Sequence, residues 1–552
     1  MSLPEVDVCI IGSGAGGAPM ALELGRAGFK VVVLEKGRHY RPQDFVHDEI
    51  LNSRRNFFMP LPWEEPHLMR HGAQARFERT NSAWTANCVG GGTVHMSGFF
   101  YRLKPVDFRL RSTLGAVPGS TLADWPISYE EFAPFYDKAE AEMGVSGEAV
   151  PHPFAEPRSG PYPLPPLDVH PVAAEIDKAC KAMGWHSLPT ARGIISRPYR
   201  GRAQCSYCAL CGSYGCETGA KSGTNASLIP AALATGNVEL RPGCMARTVE
   251  VDKKGRAKSV IYLDENGDAQ EQPAKVVVVS CTAVESARLL LNSTSSRFPR
   301  GLANGSGLVG KNLLFSSFGE SHATFRVSKQ GEARPWLKDP APFVNRSVQD
   351  FYLLPDSRFG FRKGGTLGFM WTHPNPIHAA VELAGDGKGK NALFGKALKD
   401  RMRAYRDSRI LQFEVYAEYL PTPGTYVSVS DEVKDKYGIP VAAITVERHP
   451  MDFAATRFLV ERGEEVLLRL DPDDVERKGT MGETTILQHG TCRFGNDAAA
   501  SVLDKHCRAH EVPNLYVVDG SFMPTGGSVP STLTIAANSF RVANHLVHAL
   551  KG

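Results

Sequence analysis

The sequence predicts an α/β fold: an open, mainly parallel sheet with helices on its faces, interleaved with an α+β lobe built on an antiparallel sheet. Three observations predict it. The chain opens on a short β-branched run, a Gly-rich turn and a helical stretch. Buried-type strands recur near residues 275 and 514, so the sheet is assembled from segments far apart in sequence. Two long tracts, 46–230 and 321–480, carry none of this pattern. At 552 residues the chain exceeds what one core supports, so two domains or one bilobal unit is expected. The division assigns 1–45, 231–320 and 481–552 to the first lobe, and 46–230 and 321–480 to the second, with no clean linker.

The first element is VDVCII (Val6–Ile11), read as a buried parallel strand. Gly12-Ser13-Gly14-Ala15-Gly16-Gly17 follows, then a helix over 18–27, a strand over 31–34 and Glu35. This is G-x-G-x-x-G between strand and helix with an acid at the end of the next strand, the Rossmann-like dinucleotide pattern. Gly12 permits the tight turn. Gly14, with Ala15 beside it, lets backbone N–H groups approach a pyrophosphate at the helix N-terminus, and Gly17 lets helix pack closely on strand. Glu35 suits a ribose diol; it argues against a 2′-phosphate and leaves NAD and FAD open.

Four later segments extend the pattern. NCVGGGTVHMSG (87–98) carries Gly90, Gly91 and Gly92, which exclude side chains where something flat or phosphorylated passes. KVVVVSCTAVESARLLLNS (275–293) reads as strand, tight turn and helix, and GLVGKNLL (307–314) follows. NLYVVDGSFMPTGG (514–527) is a strand ending in Asp519-Gly520, with a helix over 533–550 beyond. Residues 236–279 read as a meander turning at Asn266-Gly267, 150–171 as a loop, and 410–430 as strands covering one face of the ligand.

In order and spacing these segments resemble the glucose–methanol–choline (GMC) family of FAD oxidoreductases. DWPISYEEFAPFYDKAEAEMGVSG (124–147) and SRPYRGRAQC (196–205) are similar to stretches of bacterial glucose, fructose and gluconate dehydrogenase flavoprotein subunits. The resemblance implies FAD, with Gly12, Gly14, Gly17 and Glu35 on its ADP half, Gly90–Gly92 and His95 along the flavin, Asp519 and Gly520 at the ribityl-pyrophosphate, and Thr532 also binding the cofactor. His95 holds a position that some relatives bond covalently to the ring and others do not; its plain reading is a histidine packed at the flavin edge.

Apolar residues make up 42% and charged residues 22%, ordinary for a globular protein. With 63 basic and 59 acidic side chains and a net charge of +4, no polybasic surface for nucleic acid or membrane is implied. No apolar run reaches membrane-span length, and MSLPEVDVCIIGSG shows no basic n-region or cleavage site. A cytoplasmic chain is expected by default, periplasmic only if a partner subunit carries it out.

Alcohol oxidation by a flavin needs a proton acceptor near the ring. The family places a histidine in H-x-x-G-T and a second His or Asn just before T-L-T. Here Gly490-Thr491 and Thr532-Leu533-Thr534 fix the register, and Leu487 and Pro530 stand at those positions. Neither accepts a proton. His489, next to Gly490, is the nearest candidate base; His95 or a polar residue from 321–480 are the alternatives.

Cys205, Cys208, Cys211 and Cys216 fall in C-x2-C-x2-C-x4-C. That compact spacing suits an iron–sulfur cluster; zinc, a buried-thiol turn and a disulfide are its rivals. The other seven of the eleven cysteines are scattered and read as small buried hydrophobes. The resemblance adds weight for iron, since related sugar dehydrogenases hold a cluster in this segment, though with differently arranged cysteines. The expected activity is oxidation of a sugar, sugar acid or polyol by an FAD-dependent dehydrogenase. Electrons would pass to a cytochrome or quinone, with a small partner subunit. An O2-using oxidase, a lyase and an electron-transfer subunit are the alternatives.

Overall fold

The computed structural model describes residues 3–552 apart from 54–57, 81, 84, 338–342, 356–358, 374, 386–391 and 481–484. Its first sheet runs Val238–Pro242, Val31–Glu35, Val6–Ile11, Ala269–Val279, with Leu515–Val517 on the far side of the last strand, all parallel. Val6–Ile11 is central: Val8 is paired with Val31 on one side and Val276 on the other. A strand bonded on both edges and covered on both faces is nearly all apolar: Val8, Cys9 and Ile10 are fully buried, and half-buried Asp7 pairs with Lys275.

The strand Ala269–Val279 serves two sheets at once. Its second half joins the parallel sheet, while its first half pairs antiparallel with Ala257–Leu263, which pairs in turn with Met245–Val251. The predicted turn is present, with the Gly267 N–H donating to the Asp264 carbonyl at 2.9 Å. Val238–Pro242 departs from the predicted meander. It lies beside Val31–Glu35 in the parallel sheet, because Val31 N–H bonds to the carbonyl of Asn237, one residue ahead of that strand.

Two helices close the first lobe. Gly17–Arg26 and Thr532–Lys551 pack together, and Ser539 Oγ donates to the Gly16 carbonyl. The first and last segments of the chain therefore meet at the glycine turn. Tyr129–Met143 packs on the terminal helix, with Tyr136 and Thr534 hydroxyls 2.8 Å apart.

The second lobe is a six-stranded antiparallel sheet ordered Asp474–Thr480, Ser317–Arg326, Ser408–Ala417, Gly365–Trp371, Arg346–Val348, Leu188–Pro189. Helix Pro450–Arg469 covers one face, with Gly463 set against the Phe413 ring. Side chains alternate along a strand. In Ser408–Ala417, Leu411, Phe413, Val415 and Ala417 enter that core, while Ile410, Gln412, Glu414 and Tyr416 point to the opposite face.

A third sheet links His489–Thr491, Lys311–Leu314, Tyr426–Lys434, Pro440–Val446, His67–His71 and Glu78–Thr80. The predicted strands of 410–430 thus belong to two different sheets. Residues 150–171 form no helix or extended strand. Among the described residues, no helix is long and apolar enough to cross a membrane.

Candidate active site

One cavity of about 1090 Å³ lies between the lobes, at the upper limit for ligand pockets and roomy enough for an extended ligand. It begins at the turn Gly12–Gly16 and Glu35, passes Gly91, Gly92 and His95, and reaches Leu487, Asp519, Gly520 and Pro530–Thr532. Its far wall is the antiparallel sheet, through Gln412, Glu414 and Tyr416. The strand ends of a parallel sheet are where such ligands bind, and both chain ends contribute to this one space.

At the near end the backbone is set by close contacts. Gly12 has φ +98° and lies so near the Ser280 carbonyl that a Cβ would stand 2.2 Å from its oxygen. A Cβ on Gly17 would stand 1.9 Å from the Gly12 oxygen, so this glycine sets helix against strand as expected. Gly14 differs: its nearest neighbour is the Gly90 oxygen at 3.7 Å, leaving open space over its backbone. The open backbone lies next to the orphan N–H groups of a helix start, which favour anions.

Ser13, which the sequence reading passed over, ties three predicted pieces together. Its N–H and hydroxyl donate to Glu35 Oε2 at 3.0 and 2.6 Å, and the Gly90 N–H donates to Ser13 Oγ at 2.9 Å. Glu35 Oε1 accepts from the Gly37 N–H. Burial nevertheless raises the Glu35 carboxyl above its usual range, against those hydrogen bonds. Asp519 is likewise raised by burial, while Ser286 and Ser521 donate to it. His95 lines the cavity and stacks on Phe58 with ring centres 5.3 Å apart.

His489 is not where the sequence reading placed it. Leu487 and Gln488 line the cavity, Leu487 takes a left-handed φ of +57°, and His489 begins a strand and lies behind the wall. Its Nε2 lies 2.5 Å from Ser531 Oγ, and its Nδ1 has no hydrogen-bond partner. Burial lowers its pKa to about 3, so it is neutral and enclosed. Its reach to a substrate passes through Ser531, which does line the cavity. Leu487 and Pro530 form apolar wall at the two positions expected to carry polar groups.

The groups missed by sequence lie on the far wall. Tyr416 OH donates to Glu414 Oε2. The Glu414 carboxyl is raised to about 7 by burial, opposed by the Tyr416 hydrogen bond. The alternation within ILQFEVYA carried this signal, since it puts Gln412, Glu414 and Tyr416 on one face.

The cysteine loop abuts the same cavity: Gly212 and Ser213 line it, and the Ser213 N–H donates to the His95 carbonyl at 2.7 Å. Burial pushes the Cys205 thiol up to about 12 and Cys211 to about 11, and both also feel Cys208 and Cys216. Cys216 is lowered, since hydrogen bonds from Thr218 and the Lys221 N–H, with the Lys221 ammonium, outweigh burial. No three of the four sulfurs lie within 4.8 Å of one another. A single tetrahedral ion with bonds of about 2.3 Å needs them closer, so the zinc alternative does not fit.

Among the described residues, the set of three ligand-type groups that does come within 4.8 Å is His152, His186 and Asp350. His186 Nδ1 is 2.7 Å from Asp350 Oδ1, and the Phe154 N–H donates to His152 Nδ1. That bond puts the His152 proton on Nε2, which lies 3.8 Å from Asp350 Oδ2 and has no hydrogen-bond partner among the described residues.

The sequence profile of the GMC oxidoreductase family matches residues 165–316 and 421–539. The chain is 32% identical to the 2-methyl-1,2-propanediol dehydrogenase of Mycolicibacterium austroafricanum, over 99% of this chain and 96% of the relative. It is 27% identical to the fructose dehydrogenase large subunit of Gluconobacter japonicus, over 99% and 98%. In fold it is similar to the formate oxidase of Aspergillus oryzae, with a TM-score of 0.66 at 16% identity over 100% of this chain and 99% of that one. A glycine turn, an acid at the second strand and a C-terminal segment converging on one cavity, with whole-length likeness to an alcohol-oxidising relative, place this chain in the GMC oxidoreductase family.

Proposed function

We propose that the protein oxidises a carbinol carbon of a polyol or sugar, with FAD held in the cavity between its lobes. The observation that carries this reading is the continuity of that cavity, from the Gly12–Gly16 turn to the polar face of Gln412, Glu414 and Tyr416. The residues present fit FAD. The open backbone over Gly14 would take the pyrophosphate, Glu35 the ribose, and the turn at Gly91 and Gly92 would pass along the flavin. Asp519, Gly520 and Thr532 would lie along the ribityl chain, with His95 near the ring. When bound, FAD supplies the two-electron acceptor.

The chain's own residues do the rest. The antiparallel sheet walls off the reacting end from bulk water and supplies hydrogen-bonding groups to substrate hydroxyls through Gln412 and Tyr416, and Ser531, ahead of the C-terminal helix, supplies another. Leu487 and Pro530 give that pocket an apolar side, which suits a carbon skeleton. Likeness to a propanediol dehydrogenase and a fructose dehydrogenase subunit favours a polyol or sugar substrate.

For electron exit, the four thiols of Cys205, Cys208, Cys211 and Cys216 would hold an iron–sulfur cluster. Such a cluster would carry electrons one at a time to a cytochrome or quinone, and a small partner subunit accords with a relative named as a large subunit. The support is the contact of that loop with the cavity wall through Ser213 and His95. The reading is tested by assaying FAD-loaded protein against a panel of polyols and sugars with an artificial dye acceptor. Carbonyl product with little peroxide is expected; no turnover of any member overturns it.

A further inference from the structure

We propose that Glu414 is the group that accepts the hydroxyl proton of the alcohol, with Tyr416 as the residue that positions it. The proposal rests on the alcohol oxidation set out above.

The usual positions leave the role open, and it falls to other groups on the wall, where His95, His322, His373 and His378 stand beside the carboxylates. Leu487 and Pro530 hold no proton-accepting atom, and His489 lies behind the wall. Six other carboxylates line it, Glu35, Glu285, Glu382, Asp473, Asp474 and Asp519, and four of them are bonded within the protein, Asp473 through Arg326 and Arg334. Glu35 is held by Ser13 and Gly37, and Asp519 by Ser286 and Ser521, both at the nucleotide end. Glu285 is paired with Arg288 and His67. Glu414 is on the sheet that forms the opposite wall, and its Oε2 accepts from Tyr416. Among the described residues, Oε1 takes no hydrogen bond, which leaves it for a ligand hydroxyl.

The surroundings favour a proton that comes and goes near neutrality. Glu320 lies directly across the neighbouring strand in register with Glu414, and His322 lies 3.6 Å from Glu320. Arg192, stacked on Phe99, and the Tyr101 hydroxyl also face it, and Lys478 lies 3.9 Å from Glu320 on the edge strand. Burial, with Glu320, raises the carboxyl, while the Tyr416 bond, Arg192 and His322 hold it down; the balance falls at about 7. A general base is most effective when its pKa lies near working pH. Phe99 connects this group to the expected ring edge, since it follows His95 by four residues in the chain and its ring lies 6.0 Å from that of Tyr416.

The step balances simply. The substrate O–H bond breaks and its proton goes to the Glu414 carboxylate. The carbon gives up its hydrogen with the bonding pair to FAD, the oxidant of the proposed activity, and the C–O bond becomes C=O. Glu414 then returns its proton to solvent.

Three proteins test this: the wild type, Glu414→Gln and Tyr416→Phe, each loaded with FAD and mixed with excess alcohol without oxygen. In the wild type, the rate of flavin bleaching should rise with pH through about 7 and level off above it. Glu414→Gln should bind FAD with unchanged affinity, bleach about 10²–10⁴-fold more slowly and lose that pH dependence. Tyr416→Phe should shift the midpoint to higher pH, because its hydroxyl favours the ionised carboxylate. Infrared difference spectra should show a carboxyl band titrating near neutrality that is missing in Glu414→Gln, a readout independent of turnover. A Glu414→Gln protein that bleaches at the wild-type rate with the wild-type pH profile overturns the proposal. A wild type that no alcohol bleaches overturns the oxidation reading and this role with it.

Discussion

His489 Nε2 lies 2.5 Å from Ser531 Oγ, and of the two only Ser531 faces the cavity. The histidine that sequence adjacency nominated as base is therefore a buried support for the wall. Its role is read in stability. A folded-state pKa of about 3 against an unfolded value near 6.5 means the unfolded chain takes up a proton that the native state refuses. This contribution is complete above pH 6.5 and is lost as pH falls toward 3. His489→Gln should flatten the fall in Tm across that window, as thermal melts at a series of pH values would measure.

The two ends of the glycine turn separate folding from binding. Gly12→Ala forces a Cβ to 2.2 Å from the Ser280 oxygen at a left-handed φ, so it should lower the Tm of the FAD-free protein. Gly14→Ala meets nothing closer than 3.7 Å and should leave that Tm unchanged while weakening FAD binding, measured by flavin fluorescence titration.

Ser13 joins Glu35 to Gly90. Ser13→Ala removes that joint and should weaken FAD binding by roughly tenfold, the equivalent of one or two hydrogen bonds of about 1 kcal/mol. Equilibrium dialysis checks this, and an unchanged affinity would show the three segments to be positioned without it.

Behind the wall, Lys363 Nζ lies 3.2 Å from Asp107 Oδ1 and donates to Ser528 Oγ at 2.7 Å, with both charged side chains fully buried. Lys363→Met leaves Asp107 buried without its cation. It should cost about 3–5 kcal/mol in denaturant unfolding, and pairing it with Asp107→Asn should recover part of the loss.

The parallel strands were legible because burial on both faces leaves near-continuous apolar runs, as in VDVCII, interrupted at Asp7, and the four valines of 276–279. The antiparallel sheet was less so: its edge strand Asp474–Thr480 reads DVERKGT, with one apolar residue and nothing to separate it from a loop. The glycine motifs located the nucleotide end because Gly12 and Gly17 answer local steric demands while Gly14 leaves its backbone open to a ligand. The reacting end was opaque for a different reason. Where His489 lies depends on Leu487, a non-glycine residue in the left-handed region that no propensity announces. Glu414 lies in a run whose alternation was visible, but only the docking of that sheet against the other lobe reveals which face meets the cavity.

The cysteine loop makes a prediction of its own. Protein purified without oxygen should contain iron and give a low-temperature spin-resonance signal, and Cys205→Ser, Cys211→Ser or Cys216→Ser should each diminish both. Iron-free wild-type protein with full dye-linked activity would show that the thiols are structural.

The central claim is that one cavity holds both the flavin and the alcohol. The visible spectrum of the purified protein, recorded before and after adding a polyol under argon, tests it most directly. The account predicts flavin absorption that bleaches on addition and returns with an electron-accepting dye. A folded protein that stays colourless when offered FAD, or a bound flavin that no polyol or sugar bleaches, would contradict it.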